Sequence, residues 1–274
     1  MQGCGNDYVY VNCFEEDLPE AARPEFSRKV SDRHFGAGSD GLICICPSDK
    51  ADFKMDMYNA DGSQAQMCGN GIRCVAKYVY ERGMTDKTVI DVETGAGVKT
   101  LWLNLEDGVV ESVRVCMGTP VFEPAQIPVD ASGTAFIDQP IEVGGNMWNV
   151  TAVSVGNPHC VVFVDDVEWM DLPNIGPLFE NHPLFPERVN TEFVQVIDRN
   201  KLKMRVWERG SGETMACGTG SSAALAAAVV NGRCENSARL ILRGGELMIE
   251  WDRDKNLIYM TGPAVTVYDG EFLI

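Results

Sequence analysis

No run of eighteen consecutive apolar residues occurs in this 274-residue chain, so a membrane-spanning helix is not expected. The N-terminus lacks the basic-then-apolar pattern of a secretory signal. Positive charge is scarce: 23 Lys and Arg stand against 40 Asp and Glu, a net charge of −17. That deficit argues against nucleic acid and against an anionic membrane surface as partners. The cysteines lack paired metal-ligand spacing. Cys44 and Cys46 lie on an alternating strand pattern, and Cys68 and Cys74 have no matching second pair, so no metal site is expected. Ten cysteines without a signal point to free thiols in a cytoplasmic protein. Residues 36–41, GAGSDG, fit the glycine pattern of a dinucleotide fingerprint but follow a helical stretch and precede a strand, the reverse of what that motif needs.

What is present is a repeat. Residues 66–74 read QMCGNGIRC and residues 215–222 read MACGTGSS, with Cys68 and Cys217 149 positions apart. Each opens a helical pattern that stops at a glycine, Gly83 or Gly232. The register extends upstream. Asn59 and Glu208 each lie nine residues before their cysteine, and Gly41 and Asn190 each lie 27 before. Asn6 and Asn157, both after a glycine, lie 62 and 60 before. Residues 8–12, 41–46 and 53–59 read as strands, and 24–32 as a short helix. Strand, helix, strand, strand, helix then recurs after a proline-rich stretch at 119–133. The pattern predicts duplicated lobes over 1–118 and 134–274, joined by 119–133 as a crossover.

The repeated phrase carries chemistry. A helix N-terminus presents N–H groups without intrahelical partners and a partial positive charge, which favours a thiolate there. The glycines let backbone approach a ligand, so Gly69, Asn70, Gly218 and Thr219 can bind a carboxylate. Two such starts acting on one α-carbon would suit cofactor-free stereoinversion of an amino acid: one cysteine removes the α-proton, the other delivers a proton to the opposite face.

The phrases GCGNDYVYVN, RHFGAGSDGL, MYNADGSQAQMCGNGIRC, VSVGNPHCVVFV, RVNTEFVQV, VWERGSGETMACGTGSSAA and GPAVTVYDGEF resemble the diaminopimelate epimerases over almost the whole length. The resemblance implies an α+β fold of two pseudo-symmetric lobes, each a mostly antiparallel sheet wrapped around a central helix, with the active site in the cleft between them. It implies no cofactor, a diamino-dicarboxylic acid as substrate, a place in lysine and peptidoglycan-precursor synthesis, and a homodimer with Tyr268 at its contact. Cys68 and Cys217 would be the acid–base pair, tuned by His159 and Glu208. Gly69-Asn70 and Gly218-Thr219 would hold the reacting carboxylate, and Asn6 would sit on the reacting centre. Asn59, Asn157, Asn190, Glu208 and Arg209 would hold the substrate's ends, with Arg209 on a distal carboxylate. The family carries about half a dozen more residues ahead of Gly3, so the first strand is expected to be short or missing. At Gly41 some members have a Gln that bonds the substrate; that contact is not carried over.

Two other readings stand beside this one. A related racemase acting on histidine or a proline derivative would not need Glu208 beside Arg209, and proline-type racemases tend to carry His at the place of Asn70. A thiol oxidoreductase would need a C-x-x-C or a nearby resolving cysteine, and neither is evident.

Overall fold

The computed structural model describes residues 1–273. It is mostly sheet, with four α-helices among the described residues: α1 (Arg23–Ser31), α2 (Gly69–Glu81), α3 (Leu172–Glu180) and α4 (Gly218–Val230). None of these is long and apolar enough to cross a membrane. The fold is α+β, built twice.

Two compact units divide the chain. One holds Met1–Val115 together with the chain from Thr261 on; the other holds Cys116–Met260. Both boundaries differ from those the sequence suggests, and local bonding explains each. The C-terminal segment joins the first unit because Gln2 and Val265 exchange backbone hydrogen bonds of 2.9 Å and Arg73 Nε donates to Pro263 O at 3.0 Å. Residues 119–133 belong to the second unit. Val121 and Ser154 exchange backbone bonds of 2.9 and 2.8 Å, and Ile127 and Val129 are buried against Val150 and Phe179.

The strand pairing repeats along with the sequence. In the first unit Val9–Asn12 runs parallel to Gly41–Cys46, which runs antiparallel to Phe53–Asn59, which starts parallel to Val89–Thr94. In the second, Pro158–Phe163 runs parallel to Asn190–Asp198, which runs antiparallel to Lys201–Glu208, which starts parallel to Ser237–Leu242. In each unit an antiparallel hairpin follows, Val89–Thr94 with Gly97–Glu106 and Ser237–Leu242 with Gly245–Asp252. Even the register carries over. Leu42 faces Tyr58 as Thr191 faces Trp207, and Tyr58 faces Gln64 as Trp207 faces Glu213. The second unit adds the antiparallel pair Gln139–Val143 and Asn146–Ser154.

Each unit's sheet encloses one helix. Helix α2 is buried from Gly69 through Lys77, and α4 from Gly220 through Ala228. A helix buried on all sides cannot have one polar face. In α4 the run AALAAA meets that demand with side chains small enough for strands to pass close by. The two helices are each thirteen residues long and end alike, at Arg82 (φ −86°, ψ 3°) and Asn231 (φ −85°, ψ 3°). Gly83 and Gly232 follow at φ 69° and 67°, a left-handed turn that glycine adopts without strain. The first strand is short, as expected: Gln2–Gly3 pairs with Asn6–Asp7 across the two-residue turn Cys4-Gly5, both at positive φ.

Candidate active site

Cys68 and Cys217 are the N-caps of α2 and α4 and share one backbone geometry. Cys68 lies at φ −131°, ψ 118° and Cys217 at φ −126°, ψ 115°. In each the sulfur accepts the backbone N–H three residues on, from Gly71 at 3.3 Å and from Gly220 at 3.4 Å. Each thiol therefore satisfies one of its helix's orphan donors. The N–H groups of Gly69 and Asn70, and of Gly218 and Thr219, are the first two of their helices, at the positive end of the dipole, where an anion is favoured.

Around Cys68 the structure gathers Asn6. The Cys68 thiol donates to Asn6 Oδ1 at 3.1 Å. The amide is held in that orientation from behind, because Asn6 Nδ2 donates to Asp40 Oδ2 at 2.7 Å. Asp40 also accepts the Asp7 N–H at 3.1 Å and pairs with Arg33 at 3.0 Å. Asn70 is buried, and its Oδ1 accepts from Arg73 Nη1 at 2.9 Å. Asn59 ends its strand opposite Gly41 and donates from Nδ2 to Ser63 Oγ at 3.0 Å.

Around Cys217 the surroundings are acidic. Its sulfur lies 3.5 Å from Thr219 Oγ1. Burial pushes the Cys217 thiol well above its ordinary range, and the carboxylates of Glu208 and Glu192 push it further. Burial also raises Glu208, which a bond from Thr214 Oγ1 (2.5 Å) pulls partway back. His159 is fully buried, with Nδ1 2.7 Å from Glu192 Oε1 and Nε2 2.9 Å from Asn157 Oδ1. Asn190 bridges two segments: its Nδ2 donates to Pro158 O at 2.9 Å, and its Oδ1 accepts the Arg209 N–H at 2.9 Å. The Arg209 guanidinium donates to Glu187 O at 2.9 Å. Tyr268 is exposed and belongs to the first unit.

Three residues around these groups escaped the sequence reading. Arg73 is fully buried on α2, holds Asn70, and lies against Gly3, where an added Cβ would meet its Nη2 at 2.8 Å. Asp40 sets the Asn6 amide. Glu192 holds His159. Only the first gave any signal, an arginine among the apolar positions of a helix whose glycine-rich start is repeated. Asp40 reads as a turn residue and Glu192 as one charged residue in a predicted strand, with nothing to mark its partner.

The chain as a whole matches known proteins. The family model for diaminopimelate epimerase matches residues 1–123 and 151–267. The diaminopimelate epimerase of Agathobacter rectalis is 59% identical over 278 residues, covering 99% of this chain and 97% of that protein. That of Acetivibrio thermocellus is 57% identical over 271 residues, covering 99% and 96%. Among solved structures, a hydroxyproline epimerase from Agrobacterium vitis with bound trans-4-hydroxy-L-proline superposes with a TM-score of 0.66. It covers 97% of this chain and 87% of its own at 17% identity, a likeness of fold.

Proposed function

This chain belongs to the diaminopimelate epimerase family, and from that premise we propose that it interconverts LL- and meso-2,6-diaminopimelate with Cys68 and Cys217 as its acid–base pair. The observation that carries the mechanism is the matched pair of helix N-caps. Both are cysteines, both have the same backbone angles, and both are followed by glycine.

The reaction needs a base on one side of the α-carbon and an acid on the other. One sulfur, as thiolate, takes the α-proton, and the C–H electron pair moves towards the carboxylate. The other sulfur, as thiol, returns a proton to the opposite face, and the configuration inverts. Charge builds on the carboxylate oxygens in between. Backbone N–H groups of Gly69, Asn70, Gly218 and Thr219, fixed by their helices, are suited to that charge before it forms. Asn6 turns its oxygen towards Cys68 and serves the α-ammonium of the reacting centre. His159 and Glu208 tune the thiols. Asn59, Asn157, Asn190, Glu208 and Arg209 take the other polar groups of a substrate with two amino-acid ends, and the Glu208-Arg209 pair supplies both signs of charge for the distal one.

The setting follows from the substrate: synthesis of lysine and of cell-wall precursor, in the cytoplasm, without a cofactor. Tyr268, exposed on the C-terminal segment, fits a contact between two copies in a homodimer. The test is NMR of LL-diaminopimelate with the protein in deuterium oxide. Early product should carry α-deuterium while recovered substrate carries little. Equal early labelling of both would show a single mobile base instead.

A further inference from the structure

The two units share a backbone and differ at a few buried side chains. Ile43 and Glu192 are each the third residue of their strand, Gly41–Cys46 or Asn190–Asp198, and each lies under the second glycine of its Cys-Gly-x-Gly turn. A Cβ on Gly71 would fall 2.5 Å from Ile43 Cδ1. A Cβ on Gly220 would fall 2.6 Å from Glu192 Oε1 and 3.3 Å from Cys217 Sγ. Where one unit has a methyl group, the other buries a carboxylate at 0% exposure. Its Oε2 has no hydrogen-bond partner among the described residues. A carboxylate is costly in such a place unless a partner uses it.

The partner is His159, whose Nδ1 lies 2.7 Å from Glu192 Oε1. The ring's other nitrogen lies 2.9 Å from Asn157 Oδ1. Both ring nitrogens face oxygens, so the ring holds the Asn157 amide by its oxygen. Asn157 then has its oxygen occupied, and its Nδ2 has no protein partner among the described residues. The matching asparagine of the first unit is held by the opposite end. Asn6 gives its Nδ2 to Asp40 and turns its Oδ1 outward to Cys68. The duplicated asparagines thus present opposite polarities, an acceptor at Asn6 and a donor at Asn157.

We propose that Glu192 is a positioning residue that, through His159, fixes the Asn157 amide with its N–H2 group presented as a donor to a substrate carboxylate. This rests on the reading of the chain as an epimerase of an amino acid with two carboxylates. In the first unit the positions of Glu192 and His159 are held by Ile43 and Tyr8, which offer no carboxylate and no imidazole.

Kinetics of Glu192→Gln and Asn157→Asp, singly and together, test the proposal. The glutamine variant keeps the shape of Glu192 and weakens its hold on His159, which lets the Asn157 amide turn. KM for diaminopimelate should then rise about tenfold, the loss of one hydrogen bond to a charged group. The value of kcat should change as well, because the Glu192 carboxylate also raises the Cys217 thiol. Asn157→Asp, which can present only oxygen when ionised, should raise KM at least as much. Adding Glu192→Gln to it should raise KM little further, since the two act through one amide. A Glu192→Gln variant with KM unchanged overturns the proposal, and so does a KM effect of Glu192→Gln that persists in full beside Asn157→Asp. Failure of the epimerase reading itself would show separately, as absence of α-deuterium exchange by the wild type, and the nitrogen-15 resonance of the Asn157 side-chain amide, which should shift in Glu192→Gln, would still decide whether Glu192 fixes that amide.

Discussion

The charge of the half-buried Glu208 carboxylate raises the Cys217 thiol, whereas the other unit sets the amide of Asn6 against Cys68. There Asn59 holds the register of Glu208 and donates instead to Ser63, while Cys68 donates to Asn6. One duplicated backbone therefore supports two different thiol environments, an amide beside one sulfur and carboxylates beside the other.

Replacing that carboxyl should separate stability from activity. Burial raises Glu208 in the folded state, so the folded protein binds its proton more tightly than the unfolded chain does. A raised carboxyl favours folding below its unfolded value, and this contribution is lost as pH climbs through the folded value. Glu208→Gln removes the buried charge that forms above that window. Its melting temperature should exceed the wild type's at neutral pH by about 2–4 °C, with the gap closing below about pH 4. Epimerase activity should fall in the same variant. Thermal melts across pH with parallel rate assays check both arms, and a variant less stable at neutral pH would contradict the first.

The two inner glycines of the repeat should respond differently to alanine. At Gly71 the new methyl meets the end of Ile43, a side chain that can shift, at 2.5 Å. The effect should be an overpacking cost of about 1–3 kcal/mol in stability. At Gly220 it meets Glu192 Oε1 at 2.6 Å and the Cys217 sulfur at 3.3 Å. That displaces the reacting group, and kcat should drop about a hundredfold. Chemical denaturation and steady-state rates on both variants distinguish these outcomes.

Asp40 should matter more to catalysis than its exposed partner Arg33 suggests. Its Oδ2 accepts from Asn6 Nδ2 at 2.7 Å, and that bond decides which end of the amide meets Cys68. Asp40→Ala should reduce kcat/KM about tenfold by freeing the amide to turn. Arg33→Ala removes only half-exposed ion pairs and should change it little. Equal effects of the two substitutions would place the importance in the ion pair.

Arg209→Ala should lower kcat/KM for diaminopimelate about a hundredfold, the scale of losing one partner of a charged pair in a binding site. Binding at the far end of a substrate contributes to the reaction by orienting the near end. Lysine, which lacks the second carboxylate, should be a poor substrate of the wild type and lose little further in the variant. Equal turnover of lysine and diaminopimelate by the wild type would overturn the substrate assignment.

The sequence alone carried the duplication, the paired cysteines and most strands and helices. These are local signals. A short continuous apolar run marks Gly41–Cys46 within its own stretch, and Cys68-Gly69 and Cys217-Gly218 announce their helix starts without reference to anything distant. The polar residues in register, Asn6 with Asn157 and Asn59 with Glu208, could be counted from the chain because duplication preserves spacing. What the chain could not show was which side chain holds which. Glu192 meets His159 across 33 residues of sequence, Asp40 meets Asn6 across 34, and Arg73 reaches Pro263 across 190. Such contacts depend on strand register and on which face of a strand is enclosed. Glu192 is a lone charge near the start of a strand, yet Asn190–Val194 is buried at every residue, because α3 and α4 both pack against that strand. The same limit applied to the C-terminal segment. Its exchange of hydrogen bonds with Gln2 assigns it to the first unit, and nothing in the composition near Thr261 marks that return. Repetition fixed the frame of the site in sequence; the buried partners that break its symmetry were settled only when distant segments came into register.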